Sequence, residues 1–291
     1  MKRIFILALL FAGTTAFACD ICGYGVANYN PFLFPQLSSS YLSIAYQHRL
    51  YLMHADDGAT SHQYYNSVSV TAQYGVSKKL QLIAILPYQF NNATGATMQN
   101  RNGSGDATVL ANYKLWNKPF GTVKHTVMAR VGVKLPTGTY EETKTGAIDD
   151  QNFQLGTGSI DYLANASYRV GIRKWIFNAV ATYKYNSTNK DAYRYGDMIT
   201  TGATAIYRKD WDGFSVAPYV QLVHEQQLKD ADHHVLQSHS GGQVLYTGGG
   251  VDVNTRKIAL GVNYQWAPAQ NLAEGHITVK PKLSAHLSFM L

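Results

Sequence analysis

Charge is scarce in this sequence. Charged residues make up 15% of its 291 positions, against roughly 25% in an average soluble domain. Long apolar runs are also missing: the longest, Ile4 to Ala12, spans nine residues. A membrane-spanning helix needs about 20, so a mature helical membrane protein is excluded. No stretch carries the ~3.6-residue apolar repeat of an amphipathic helix. Cysteine is limited to Cys19 and Cys22. No second C-x-x-C completes a four-cysteine zinc site, and Gly23 rather than His follows, which removes the haem-attachment pattern. Basic residues form no clustered stripe, so no nucleic-acid partner is expected.

Polar and aromatic residues fill the place of charge. The chain holds 21 Tyr and 25 Gly, and its mean hydropathy is −0.18. Being 46% hydrophobic and 12% aromatic, it is too apolar to stay disordered in water. These features point to a β-rich protein, with contact to lipid as one option.

The N-terminus reads as an address. Lys2 and Arg3 precede the apolar run, and Ala16-Phe17-Ala18 fits the small-x-small cleavage rule. Residues 1–18 are therefore predicted to be a signal peptide for Sec-type export, cut before Cys19. Lipidation of Cys19 would favour an aliphatic residue and then a small one before it, and Ala16 and the bulky Phe17 depart from that. The alternative is a local Cys19–Cys22 disulfide, and C-x-x-C also suits redox or metal chemistry.

From Tyr41 onward apolar residues recur at period two, the spacing of one face of a strand. Leu42, Ile44 and Tyr46 alternate with Ser43, Ala45 and Gln47; Val127, Ala129, Val131 and Val133 alternate with Met128, Arg130, Gly132 and Lys134. The same pattern covers 68–76, 107–115, 160–170, 177–185 and 258–266, with weaker strands near 80–90, 198–208, 213–225 and 243–254. Short turns at 77–79, 117–121, 171–173, 209–212 and 254–256 take turns with long polar loops at about 52–64, 91–104, 137–157, 187–197, 226–241 and 267–275. Alternating short and long connections are the signature of an outer-membrane barrel. The expected fold is all-β: an up-and-down antiparallel transmembrane β-barrel of about 12 strands over residues 40–291. Residues 19–39 read as a lead-in or plug.

A soluble sandwich shows the same alternation with its faces reversed. Export favours lipid, as do Tyr and Trp at strand ends, for example Tyr113 with Trp116 and Tyr264 with Trp266. The terminal alternation Leu283, Ala285, Leu287, Phe289, Leu291 does too. Outer-membrane barrels commonly finish on such a strand with an aromatic last residue that the barrel-assembly machinery reads; here Leu291 is last and Phe289 lies two before it. The expected address is the outer membrane of a Gram-negative cell, with outer-membrane lipids and that machinery as partners.

Short motifs carry a family resemblance. Gly105-Asp106 opens a strand ending Tyr113-Lys114-Leu115. Gly132-Val133-Lys134-Leu135-Pro136-Thr137-Gly138 follows, then Leu155-Gly156-Thr157-Gly158-Ser159-Ile160-Asp161. In order and spacing they resemble the outer-membrane family named after the MetA pathway of phenol degradation. The resemblance implies an outer-membrane location and a role in passing small, often hydrophobic, molecules. It supplies no catalytic residues and no account of the C-x-x-C.

The candidate site is the inward face. Lys114, Arg130, Lys134, Arg169 and Lys184, set against Asp106 and Asp161, are predicted to line the lumen. Such charges either select anions or fill the lumen as a static network of ion pairs. His224, His233, His234 and His239 cluster with Glu225, Asp230 and Asp232 around one loop. His233, His234 and His239, with Cys19 and Cys22, are the metal candidates, although the spacing fits no known site and loop histidines are usually solvated. Ser238-His239-Ser240, and Ser284 with His286, offer the residue types of a lipid-modifying barrel enzyme, but no nucleophile elbow or clear nucleophile–base–orienter set accompanies them. The sequence thus reads as a channel for small solutes, anionic or aromatic, with no cofactor and no enzymatic activity. A structural or surface-binding barrel is the alternative.

Overall fold

The computed structural model describes residues 40–55, 58–95, 99–140, 151 and 153–291. The predicted signal segment 1–18 and the lead-in 19–39, with Cys19 and Cys22, lie outside the described residues.

Twelve long antiparallel strands follow one another around a closed barrel. They are β1 (Tyr41–His54), β2 (Thr60–Gly75), β3 (Leu80–Thr94), β4 in two pieces (Gln99–Ser104 and Ala107–Phe120), β5 (Val123–Leu135) and β6 (Asp161–Ile172). The circuit continues through β7 (Trp175–Tyr185), β8 (Met198–Tyr207), β9 (Phe214–Gln227), β10 (Gly242–Thr255), β11 (Ile258–Leu272) and β12, again in two pieces (Ile277–Val279 and Lys282–Met290). β12 pairs back with β1, from Tyr41↔Met290 through His48↔Leu283 to Tyr51↔Val279. Closure leaves no sheet edge, so the backbone groups of the ladder are paired within the protein, as an apolar medium requires.

The direction of the faces decides between lipid and a soluble core. Along β1, Ser43 is 1% exposed while its neighbours Leu42 and Ile44 are 41% and 45% exposed. Along β9, Gln221 is buried and Val220 is 64% exposed. The barrel is turned inside out relative to a soluble protein: polar residues fill the interior and Leu, Ile, Val and Tyr cover the outside. Leaving that much apolar surface in water would cost about 25 cal/mol per Å², so the stable surroundings of the belt are hydrocarbon.

The short connections are built by their turn residues. The Ser77 hydroxyl accepts from the Lys79 and Leu80 amides at 3.2 and 3.0 Å. The Thr255 hydroxyl does the same for Lys257 and Ile258 at 3.3 and 2.9 Å. Gly121 takes a positive φ of +61° to reverse β4 into β5, a conformation open to glycine without steric cost.

Several connections differ from the sequence reading. Pairing runs to His54↔Thr60 where a loop over about 52–64 was expected, and to Ala93↔Gln99 within the expected loop near 91–104. β11 reaches Leu272, and β4 continues through Phe120, leaving Gly121-Thr122 as the turn. The physical reason is common to the loop-side cases. Period-two apolarity ends where a strand leaves lipid, while the hydrogen-bond ladder continues into water with polar residues on both faces.

Candidate functional site

The connection between β5 and β6 carries the Pro-Thr-Gly and Gly-Thr-Gly motifs, and its two ends converge on the break in β4. Asp106, in that break, accepts hydrogen bonds from the Gly138 amide at 3.0 Å and the Thr157 amide at 2.9 Å. Lys134, the penultimate residue of β5, pairs with Asp106 at 2.7 Å and with Asp161 at 2.6 Å. Its ammonium also contacts the Thr157 hydroxyl. Ser159 donates to Asp161 at 2.8 Å, and the Ser187 amide reaches the same oxygen at 3.2 Å. Lys134, Asp106 and Asp161 are all buried, so one cation holds two carboxylates in a latch. Gly156 permits the close approach: a Cβ there would lie 2.5 Å from Asp106 Oδ1 and 3.0 Å from the Gly138 backbone.

Beyond the latch this loop turns inward. Phe153 and Leu155 are 1% and 4% exposed. The Phe153 ring meets Tyr65 at 5.8 Å, and Tyr65 meets Tyr51 edge-on at 5.6 Å. The apolar cluster around Phe153 draws residues from opposite walls: Ala93 of β3, Met198 of β8, Tyr246 of β10, Leu272 of β11 and Val279 of β12. Polar ties fix the loop further. Arg101 donates to Gln154 at 2.7 Å, and Gln89 donates to the Leu155 carbonyl at 2.8 Å. The β7–β8 loop packs beside it, with the Tyr195 hydroxyl on the Gln151 carbonyl at 3.1 Å. This plug therefore narrows the bore at its loop end.

Below the plug lies a second buried charge group that the sequence reading missed. Lys282 stands 3.5 Å from Glu225 and 3.3 Å from the centroid of the Tyr246 ring, with Arg49 buried on β1. Only strand parity marks these three. Lys282 sits in the loop-like run Lys280-Pro281-Lys282, and Glu225 borders an expected loop. Nearer the turns, Asn263 donates to the Tyr219 hydroxyl at 3.1 Å, and His286 lies 3.8 Å from Asp252. The inward hydroxyls of Thr71, Ser167 and Ser215 have no hydrogen-bond partner among the described residues. Apolar patches interrupt this interior: Ile83, Ile85, Leu110 and Leu163 form an inward cluster across β3, β4 and β6, and Ile206, Ala217 and Tyr219 form another on β8 and β9.

The candidates named from sequence are distributed unevenly. Lys134, Asp106 and Asp161 meet in the latch. Lys184 is buried on the inward face of β7. Arg169 donates to Asn178 at 2.8 Å, and Arg130 is half-buried on the inward face of β5. Lys114 sits beside a bulge at the turn end, where it donates to the Lys78 carbonyl at 3.3 Å. The histidines do not converge. His233 pairs with exposed Asp232 at 2.8 Å, His234 sits beside it at a positive φ, and His239 packs against His276. Among the described residues no group of three or more His, Cys, Asp or Glu side chains could hold a metal ion. His286 points into the barrel beside Asp252; the Ser240 hydroxyl is engaged with the Asp230 amide at 2.9 Å and the Gln237 carbonyl at 2.8 Å.

A closed antiparallel barrel with an apolar exterior, a polar interior and an in-folded loop defines a transmembrane β-barrel with a narrowed bore. The chain belongs to the family described as "Putative MetA-pathway of phenol degradation", whose profile matches residues 55–276. That span contains the latch and all the motifs that form it. Among solved structures, the fold is similar to an outer membrane channel from Pseudomonas putida F1, at 16% identity and a TM-score of 0.66, covering 88% of this chain and 97% of that one. It is similar more distantly to the translocator domain of the autotransporter NalP from Neisseria meningitidis, at 10% identity and a TM-score of 0.48, covering 89% of this chain and 91% of that one. Sequence comparison with curated proteins finds no match.

Proposed function

We propose that the protein is an outer-membrane channel for small solutes, with the β5–β6 loop setting its constriction. The observation that carries this reading is the set of inward hydroxyls below the plug, Thr71, Ser167 and Ser215, with no hydrogen-bond partner among the described residues. A buried hydroxyl without a partner costs about 1–3 kcal/mol, so these positions gain from a polar guest that packing alone does not supply. Membership of the family and the fold shared with the Pseudomonas channel support the same reading and its outer-membrane location.

For the solute we favour small organic anions with an apolar or aromatic body. Arg49, Arg130, Arg169, Lys184 and Lys282 face the interior with Glu225 and Asp252, a balance that favours anions. The Ile83–Ile85–Leu110–Leu163 wall offers an apolar surface beside them. Lys134 is excluded from this selective set because its charge is spent on Asp106 and Asp161. Reversal potentials across a planar bilayer under a salt gradient test the proposal. Anion preference is expected; cation preference overturns the solute class, and absence of conductance even after the latch is broken overturns the channel.

A further inference from the structure

The turn end of the barrel carries a ring of positive charge that the bore does not use. Lys78 and Lys79 lie between β2 and β3, Lys118 and Lys124 flank the β4–β5 turn, and Arg173 with Lys174 makes the β6–β7 turn. Arg208 and Lys209 follow β8, and Arg256 with Lys257 joins β10 to β11. Each of these five turn-end connections thus holds, or is flanked by, two bases. The acids in these turns are Asp210 and Asp212, and Asp210 is taken by Arg208 at 2.7 Å. At the opposite rim signs are mixed, with Arg194 paired to Asp197 and Lys229 to Glu274 at 2.8 and 2.6 Å. The turn end thus carries these ten bases against the two acids Asp210 and Asp212.

Aromatic rings stand directly beside these bases on the outer surface. Trp211 stacks on Phe214 at 5.1 Å, and the Lys209 ammonium lies 4.7 Å above the Trp211 ring. Trp175 stacks on Phe177 at 6.2 Å and meets Tyr207 edge-on at 5.1 Å. His125 is stacked between Trp116 and Tyr168 at 5.9 and 6.0 Å. Amphipathic rings seat at head-group depth, so the bases next to them stand at the level of lipid phosphates.

We propose that this rim is a binding ring for anionic phospholipid head groups. A lipid leaflet is the partner whose shape fits, because the bases recur at five of the six strand pairs around the barrel rather than face one side. Its phosphates supply the complementary charge, each base near an anionic surface being worth about a fivefold gain in partition. The ring rests on the barrel spanning a bilayer and is independent of solute passage.

Tryptophan fluorescence reads the ring directly, because Trp116, Trp175 and Trp211, three of the four tryptophans, lie at this rim. A Trp266→Phe variant removes the remaining one from the signal. The protein is folded into phosphatidylcholine vesicles, and quenching by brominated phosphatidylglycerol is compared with quenching by brominated phosphatidylcholine at equal mole fraction. Folding is scored separately by heat-modifiable gel migration, and conductance separately again. The expected result is an advantage of about fivefold or more for phosphatidylglycerol at low salt, at least halved at ~0.5 M salt by screening. It should approach one in a variant carrying K78Q, K79Q, K118Q, K124Q, R173Q, K174Q, R208Q, K209Q, R256Q and K257Q. Equal quenching by the two lipids in the parent overturns the proposal, as does an advantage that salt leaves unchanged. Equal quenching together with salt-sensitive capture of an acidic protein by the parent assigns the ring to a protein instead.

Discussion

At the loop end of the bore, Phe153 draws Tyr65, Met198, Tyr246 and Leu272 from facing walls into an apolar plug. Towards the turns, the same alternating strands bury Thr71, Ser167 and Ser215 with no hydrogen-bond partner among the described residues. Both regions obey one rule, polar in and apolar out, yet one is closed by an apolar cluster and the other is lined by buried polar side chains that are not all satisfied. The difference comes from a connection rather than from the strands: a loop inserted from outside supplies the missing side chains. The strands build a tube, and the loop decides how much of it is bore.

Replacing Lys134 breaks that comparison most severely. Lys134→Met leaves Asp106 and Asp161 buried without their cation, and removing one member of a buried pair costs about 3–5 kcal/mol. A lower denaturation midpoint is expected together with a rise in single-channel conductance, since the loop ends lose their tie; unchanged conductance would separate the latch from the plug. Phe153→Ala acts on the plug alone. Truncating a buried Phe costs roughly 3 kcal/mol or more, and here the loss falls on the loop's docking. Protease cleavage between residues 141 and 153 should speed up while the barrel stays folded, and a protected loop would refute the anchoring role.

Changes in the turn half should be mild. Thr71→Val removes a hydroxyl with no partner among the described residues, so its effect on stability is expected within about 1 kcal/mol of neutral, read by denaturation in vesicles. A large loss would show that the hydroxyl is structural. The smallest effect concerns Glu274 at the loop rim. Its hydrogen bond from Lys229 holds the carboxyl below its usual 4.5. Because the folded value is depressed, the contribution is present above that figure and is lost as pH falls through the lower folded value. Protection against amide exchange around 273–276, taken relative to the intrinsic rate at each pH, should therefore fall on acidification, and Lys229→Ala should abolish that acid-dependent step.

Much of this architecture is legible in residue order. Leu42-Ser43-Ile44 and Val131-Gly132-Val133 announce a half-buried strand, and Tyr and Trp mark where lipid ends. Strand extensions such as Asn91–Thr94 are not legible, because two polar faces in water leave no period to see. Of the site, Asp106, Lys134 and Asp161 are visible as inward charges, but that they bind one another depends on a loop returning across more than 20 positions. Phe153 is one aromatic in the polar run Asp149-Asp150-Gln151-Asn152-Phe153-Gln154, and nothing local says that it points into a barrel. Arg49, Glu225 and Lys282 belong to three strands far apart in the chain, and only closure makes them neighbours.

That closure also governs how the molecule comes into being. The hydroxyls of Ser43 and Ser288 bond across a separation of 245 positions, and the Leu291 amide ends on the Ser40 carbonyl at 2.9 Å. Long-range pairing of this kind is slow to form. Until the seam zips, β1 and β12 each present a bare edge able to recruit a foreign strand. Maturation is consequently a race between self-recognition and aggregation, and whatever shelters those two edges during synthesis determines the yield of finished rings.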